Sequence, residues 1–239
     1  AANVLFQVVN QRYLQKKAIV VTTRREGDDA IAVTGGVGTL DEEGLLGYLF
    51  AGNDSITGSS GNDTLDGFGG NDTVLGGNGN DSVGGGDGDD SLDGGAGTDR
   101  ADYRQASAAV SVSLAVAGPQ NTVGAGIDTL VNFEGLLGSE FDDTLVGSSG
   151  NAIYETFFGM AGNDSIDGGV VVDTANYGDG NQIEYWLDAQ TGVNVNLELG
   201  IAQDGQGGQD TLANFSFVIG TEFDDTVIGS NSSLFESFN

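Results

Sequence analysis

From Gly58 onward the chain can be laid out in consecutive blocks of nine: GSSGNDTLD, GFGGNDTVL, GGNGNDSVG, GGDGDDSLD and GGAGTDRAD, with LFAGNDSIT ahead of them. Asp54, Asp63, Asp72, Asp81, Asp90 and Asp99 recur at one position of this frame, and Ile56, Leu65, Val74, Val83, Leu92 and Ala101 two positions later. One carboxylate and one apolar side chain per block cannot furnish the many-sided core of a globular domain. The pattern suits a solenoid, in which each short unit buries its face against the next. A lone apolar residue between polar neighbours fits the centre of a very short strand whose middle side chain points inward. The Gly-rich hexapeptide before it must reverse the chain, which Gly permits through its access to positive φ. Two nonapeptides then make one flattened coil, and pairs such as Asp54 and Asp72 stack in adjacent coils at the inter-strand spacing of about 4.8 Å.

Each edge of such a solenoid carries a column of carboxylates. At about 4.8 Å two of them repel by roughly 3 to 4 kcal/mol at an effective dielectric near 20, so a positive charge has to lie between the coils. Carboxylates and turn carbonyls together offer only oxygen. Six to eight oxygens at about 2.3 to 2.6 Å are what calcium takes, whereas magnesium demands tighter octahedral geometry and keeps its waters. A disordered Gly/Asp linker is the competing reading, and the apolar residue kept at the eighth position of every block speaks against it.

GGNGNDSVG and GGDGDDSLD resemble the repeats-in-toxin (RTX) nonapeptide of calcium-binding parallel β-rolls. The resemblance implies a ligand scheme. One turn supplies the carbonyls of its second and fourth residues and its Asp, and the next turn on that edge supplies the carbonyls of its first and third residues and its Asp. On this chain one ion would be held by Ser59, Gly61, Asp63, Gly76, Asn78 and Asp81, and another by Phe68, Gly70, Asp72, Gly85, Asp87 and Asp90. A third would use Gly77, Gly79, Asp81, Gly94, Ala96 and Asp99. A fourth would use Phe50, Gly52, Asp54, Gly67, Gly69 and Asp72, where Leu49 and Phe50 depart from the family's paired Gly. The resemblance further implies type I secretion, with calcium outside the cell completing the fold.

The pattern returns in coarser form toward the C-terminus. GGAGTDRADY (94–103) is echoed by GGVVVDTANY (168–177), and IDTLVNFEGLLGSEFDDTLVGS (127–148) by QDTLANFSFVIGTEFDDTVIGS (209–230). Asp143, Asp164, Asp173 and Asp225 fall at the sixth position of degenerate nonapeptides and are weaker candidate ligands, while Ala152 replaces an Asp outright. AAVSVSLAVA (108–117) and VNVNLEL (193–199) alternate strictly and read as half-buried strands. The division expected is 1–35 as a basic, β-prone arm or cap, 36–107 as the regular roll and 108–239 as a degenerate solenoid with a duplicated unit. The fold class is all-β, a right-handed parallel β-roll.

Charge restricts the partners. The formal net charge is −29, with 36 acidic residues against 7 basic ones, a field that repels nucleic acid and anionic membranes and attracts multivalent cations. Five of the basic residues, Arg12, Lys16, Lys17, Arg24 and Arg25, fall in an N-terminal stretch without a single acid. That stretch reads either as a cap over the first coil or as an arm that docks head to tail on the acidic body of another copy. No apolar run approaches the roughly 18 residues of a membrane span, so membrane insertion is not expected. The absence of Cys and His removes thiol and imidazole chemistry, no Ser stands in a nucleophile elbow, and an enzyme is not expected. The reading is therefore a secreted, calcium-binding RTX protein, self-assembling as an extracellular filament, surface layer or matrix. The alternative is the calcium-binding folding module of a larger secreted enzyme or adhesin.

Overall fold

The structure, a computed structural model, describes residues 19–23, 31–35, 52–148, 154–169, 181–187, 189–230 and 237–238. All regular structure among these residues is β-strand. The chain forms two compact units, one of residues 1–101 with 125–133 and the other of 102–124 with 134–239.

In the first unit the nonapeptides fold as their period dictates. One sheet stacks Ser55–Thr57, Thr73–Asn78, Ser91–Ala96 and Ile127–Val131 in parallel, and the other stacks Thr64–Asp66, Ser82–Gly84 and Arg100–Asp102 in parallel. The register pairs Ile56 with Val74 and Val74 with Leu92 on one side, and Leu65 with Val83 and Val83 with Ala101 on the other. Two blocks thus make one coil. The eighth-position side chains are at most 3% exposed from Ile56 to Ala101. They form two facing aliphatic ladders, and each fully buried Val, Leu or Ile contributes about 1.5 to 3 kcal/mol. After Leu92 the ladder continues to Leu130, which pairs with it although the regular blocks have ended.

The N-terminal strands close this sheet. Ile19–Thr23 pairs antiparallel with Ile31–Gly35, and the latter pairs antiparallel with Ser55–Thr57, the first strand of the repeat region. Residues 1–18 and 24–30 of the basic stretch lie outside the described residues.

The second unit uses the same coil with longer connections. Gly135–Leu137, Thr156–Phe158, Gln182–Glu184, Phe217–Ile219 and Ser237–Phe238 stack in parallel. Leu136, Phe157, Ile183 and Val218 lie in register, each at most 1% exposed. The other sheet runs Ser111–Ser113, Thr144–Val146, Ser165–Asp167 and Gln209–Ala213 in parallel. It then turns antiparallel through Ile201–Gln203 to Asn194–Asn196, which pairs in parallel with Thr226–Ile228. The alternating stretches 108–117 and 193–199 are strand only over 111–113 and 194–196, because turns at 114–115 and 197–200 interrupt them. Larger side chains widen this unit: Phe157 packs edge-on to Phe215 at 5.5 Å, and Leu137, Phe158 and Met160 form a second apolar layer.

Leu92 stands in the middle of one ladder with a stacked neighbour on either side. Leu92→Ala is expected to remove about 2 to 5 kcal/mol, read as a fall in the denaturation midpoint of the calcium-saturated protein.

Candidate metal centre

Every Asp of the repeat stands directly before its strand, at the mouth of the turn, and from Asp72 onward its carboxylate is bound to the coil preceding it. The amide of Asp54 donates to Oδ1 of Asp72 (2.7 Å), Asp63 to Asp81 (2.8 Å), Asp72 to Asp90 (2.8 Å) and Asp81 to Asp99 (2.7 Å). The preceding residue does the reverse. Asn53 Oδ1 accepts from Asn71 N–H (2.9 Å), Asn62 from Asn80 (2.9 Å), Asn71 from Asp89 (3.1 Å) and Asn80 from Thr98 (3.0 Å). Each turn is therefore tied to both neighbours by adjacent side chains, one reaching each way. The sequence reading missed this second ladder, although the Asn before Asp54, Asp63, Asp72 and Asp81 is the signal for it.

With Oδ1 occupied, the second carboxylate oxygen faces the inside of the turn. Oδ2 of Asp72 and of Asp90 and both oxygens of Asp54 are buried and accept no hydrogen bond. Burial pushes Asp54 and Asp72 up to about 6 and Asp90 up to about 7, so their charge is poorly supported by the protein alone. Backbone carbonyls gather at the same place. A β-carbon on Gly58 would run into Gly76 O and Asp63 Oδ2, one on Gly67 into Gly85 O and Asp72 Oδ2, and one on Gly76 into Gly94 O and Asp81 Oδ2. At these glycines the first-position carbonyl of the next coil meets the carboxylate of the turn itself, and any larger residue would block the meeting.

This oxygen-only cradle fits calcium. Among the described residues no three acidic side chains are grouped so as to hold a metal ion, and a cation here has to rely on two carboxylates and main-chain oxygens, which a hard cation accepts. Several carbonyls of the scheme also accept one hydrogen bond between coils: Ser59 O from Asn78 N–H (3.0 Å), Phe68 O from Asp87 N–H (2.9 Å), Asp87 O from Gly70 N–H (2.9 Å) and Ala96 O from Gly79 N–H (2.9 Å). A carbonyl has two lone pairs, so one remains for a cation. Gly52 O lies against Gly70, Gly61 O against Gly79 and Gly77 O against Gly95, while Gly69 bridges to Asp87. Phe50 and Asp173 lie outside the described residues.

The structure also shows turns that the nine-residue frame hides. Asp128, at the end of VGAGID (123–128), accepts from Asp90 N–H (3.1 Å) across a separation of 38 residues, and Asn132 O takes the place beside Gly94 that a block glycine takes elsewhere. In the second unit Asp143 accepts from Val110 N–H (2.8 Å), Asp164 from Asp143 (2.9 Å) and Asp210 from Asp164 (3.2 Å), with 46 residues between the last two. Asp210 ends GQGGQD (205–210), and the detectable signal at both missed turns is Asp-Thr-Leu after spaced glycines. Asp225 sits apart, accepting from Val193 and Thr221 N–H. Burial opposes its charge, but these bonds outweigh burial and hold it below the usual carboxylate range.

On the other edge of the second unit the carboxylate is replaced stepwise. Where Ala152 stands in the nonapeptide frame, Glu155 reaches back to accept from Ser148 N–H (3.0 Å) and lies with Gly168 O against Gly147, as Asp63 and Gly76 O do at Gly58. One coil on, Asn181 precedes the strand. Its buried amide Nδ2 donates to Gly168 O, to Gly169 O (3.2 Å) and to Asn214 O (3.4 Å), so a neutral donor supplies positive hydrogens to the carbonyls.

The raised carboxylates give the calcium-free protein an inverted pH dependence. Asp54, Asp72, Asp90, Asp164 and Asp210, at about 6, 6, 7, 9 and 7, bind protons more tightly folded than unfolded. Their contribution is fully present below the unfolded value near 4 and is lost as pH rises through about 6 to 9. In excess chelator the β signal in circular dichroism is expected to be stronger at pH 5 than at pH 8, and the difference to shrink in calcium.

The family model of the RTX calcium-binding nonapeptide repeat matches the chain four times, over residues 48–83, 66–101, 136–151 and 155–181. The first two copies share residues 66–83, one coil of the roll. No curated protein matches the chain. With the stacked Asp columns, the parallel coils and these four matches, the chain carries RTX calcium-binding nonapeptide repeats in a β-roll.

Proposed function

We propose that this chain is a secreted protein whose β-roll folds on calcium outside the cell and then assembles, copy to copy, as an extracellular structural component. The observation that carries the calcium part is the column of buried Asp oxygens without hydrogen-bond partners, set against main-chain carbonyls. Without a cation that column combines like-charge repulsion with Gly-rich turns of high chain entropy, and neither favours the folded coil. Export before folding is consistent with this chemistry: a chain that needs calcium to fold stays unfolded where calcium is scarce.

Assembly is supported by the end of the first unit. Among the described residues Ile19–Thr23 is the last strand of its sheet and pairs on one side, so its other edge can offer backbone groups to a further strand. The basic residues around it complement an acidic body. Head-to-tail contacts of this kind give open filaments unless the rotation closes. A second reading, in which the chain is the calcium-binding folding module of a larger secreted enzyme or adhesin, draws on the same hairpin, because a strand that extends the sheet within one chain also serves as a cap.

Circular dichroism at pH 8 tests the first part: the β spectrum is expected in calcium and largely lost in excess chelator, and an unchanged spectrum in chelator at that pH would overturn it. Within the column, Asp81 stands between Asp63 and Asp99 and borders two cation positions, whereas Asp99 borders one in the regular run. Asp81→Ala is therefore expected to shift the calcium midpoint further than Asp99→Ala, by about tenfold, the equivalent of roughly 1.4 kcal/mol. Equal shifts would argue against stacking of alternate blocks. For assembly, sedimentation and electron microscopy of the full chain beside one lacking residues 1–25, both in calcium, are expected to show filaments only for the full chain. If both forms stay monomeric or both assemble alike, the hairpin is a cap and the module reading gains.

A further inference from the structure

The turn before Gln209–Ala213 departs from the others in how its carboxylates are used. At Asp72, Asp90 and Asp164 the Asp before the strand gives Oδ1 to the preceding coil and leaves Oδ2 without a hydrogen-bond partner, while at Asp63 and Asp143 Oδ2 accepts only from the Ser of its own turn. Asp210 has no such oxygen. Its Oδ1 accepts from Asp164 N–H (3.2 Å) and its Oδ2 from the Tyr185 hydroxyl (3.2 Å).

A second carboxylate stands nearby. Asp204 closes a tight turn, its Oδ1 accepting from the amides of Gln206 (2.8 Å), Gly207 (2.8 Å) and Gly208 (2.9 Å). Its Oδ2 is buried with no hydrogen bond, and the residue is 1% exposed. A β-carbon on Gly208 would meet both that oxygen (2.6 Å) and Gly162 O. Gly162 belongs to the turn that ends in Asp164, whose own Oδ2 is buried and without a partner at 1% exposure. Asp204 is also close enough to Asp164 to oppose its ionisation, after the larger effect of burial and alongside Asp210 and Asp143. Asp204 Oδ2 and the Gly162 carbonyl thus meet at one glycine, beside a turn whose own Asp164 keeps a buried oxygen without a partner.

We propose that Asp204, which lies outside the nonapeptide pattern, replaces Asp210 as the second carboxylate of a divalent-cation site completed by Asp164 and the Gly162 carbonyl. The inference rests on the calcium-binding reading above and assigns to it a ligand that the repeat frame does not contain. Tyr185 favours the exchange, because its hydroxyl already engages Asp210 Oδ2 while Asp204 Oδ2 accepts nothing. The hard, oxygen-only donor set selects calcium over softer metals.

The test is calorimetric titration of calcium chloride into the calcium-depleted full chain and three variants, with circular dichroism in calcium as the check on folding. Asp204→Asn keeps size and the Oδ1 acceptor but removes the charge, and is expected to bind one calcium fewer, or to bind that ion at least about tenfold more weakly. Asp204→Glu keeps the charge and displaces the oxygen, and is expected to weaken the same ion; either variant that retains its fold decides the point. Asp210→Asn is expected to keep the full number of ions. Unchanged binding in a folded Asp204 variant, or loss of the ion in Asp210→Asn but not in Asp204→Asn, would overturn the assignment. If the unaltered chain takes up no calcium at all, it is the underlying calcium-binding reading that fails.

Discussion

The architecture depends on an oxygen brought face to face with oxygen. In each coil the carboxylate of one turn is placed beside a carbonyl of the next, in a space so narrow that a single methyl group on Gly58, Gly67 or Gly76 would close it. Such an arrangement is unfavourable for the bare protein, because burial disfavours the carboxylate charge and neighbouring charges add repulsion. It becomes favourable when a divalent cation shares the space. The apolar ladders of Ile56, Val74 and Leu92 and of Leu65, Val83 and Ala101 are too thin to hold the chain by themselves, since each coil contributes only two such side chains. Short strands and permissive turns follow from that balance.

Much of the first unit was legible in the sequence because its period is unbroken. The spacing of the Asp and apolar positions gave the coil length, the inward residues and the stacking partners, and the observed register pairs Ile56 with Val74 and Leu65 with Val83 accordingly. Legibility ended where insertions changed the spacing. Asp128 and Asp210 continue columns that a strict count of nine cannot reach, since 38 and 46 residues separate them from the Asp residues they meet. Glu155 and Asn181 were hidden for another reason. Each reaches its turn from beyond the hexapeptide: Glu155 fills the place of the Asp that Ala152 replaces, and Asn181 stands before its strand although the frame puts Asp173 at the sixth position.

The Asn ladder shows what the frame alone underweights. Asn53, Asn62, Asn71 and Asn80 read as ordinary turn residues, but each binds the coil that follows it, while at Asn71 and Asn80 the adjacent Asp72 and Asp81 bind the coil that precedes it. Register is thus fixed by uncharged hydrogen bonds as well as by the charged column. A slip by less than a whole block would break both ladders at once, so the phase of each block against the next is fixed twice over.

The second unit distributes its chemistry unevenly between its two edges. Asp143, Asp164 and Asp210 line one, while Glu155 and then Asn181 line the other, and at Asn181 an amide holds three carbonyls with no ion required. The unit is built like a bound book, with a stitched spine on the amide side and a fore-edge whose buried carboxylates would need a cation to lie fully shut. Withdrawal of calcium would then fan the coils apart along one margin while the other kept them in order, and its return would need to close pages rather than gather loose leaves.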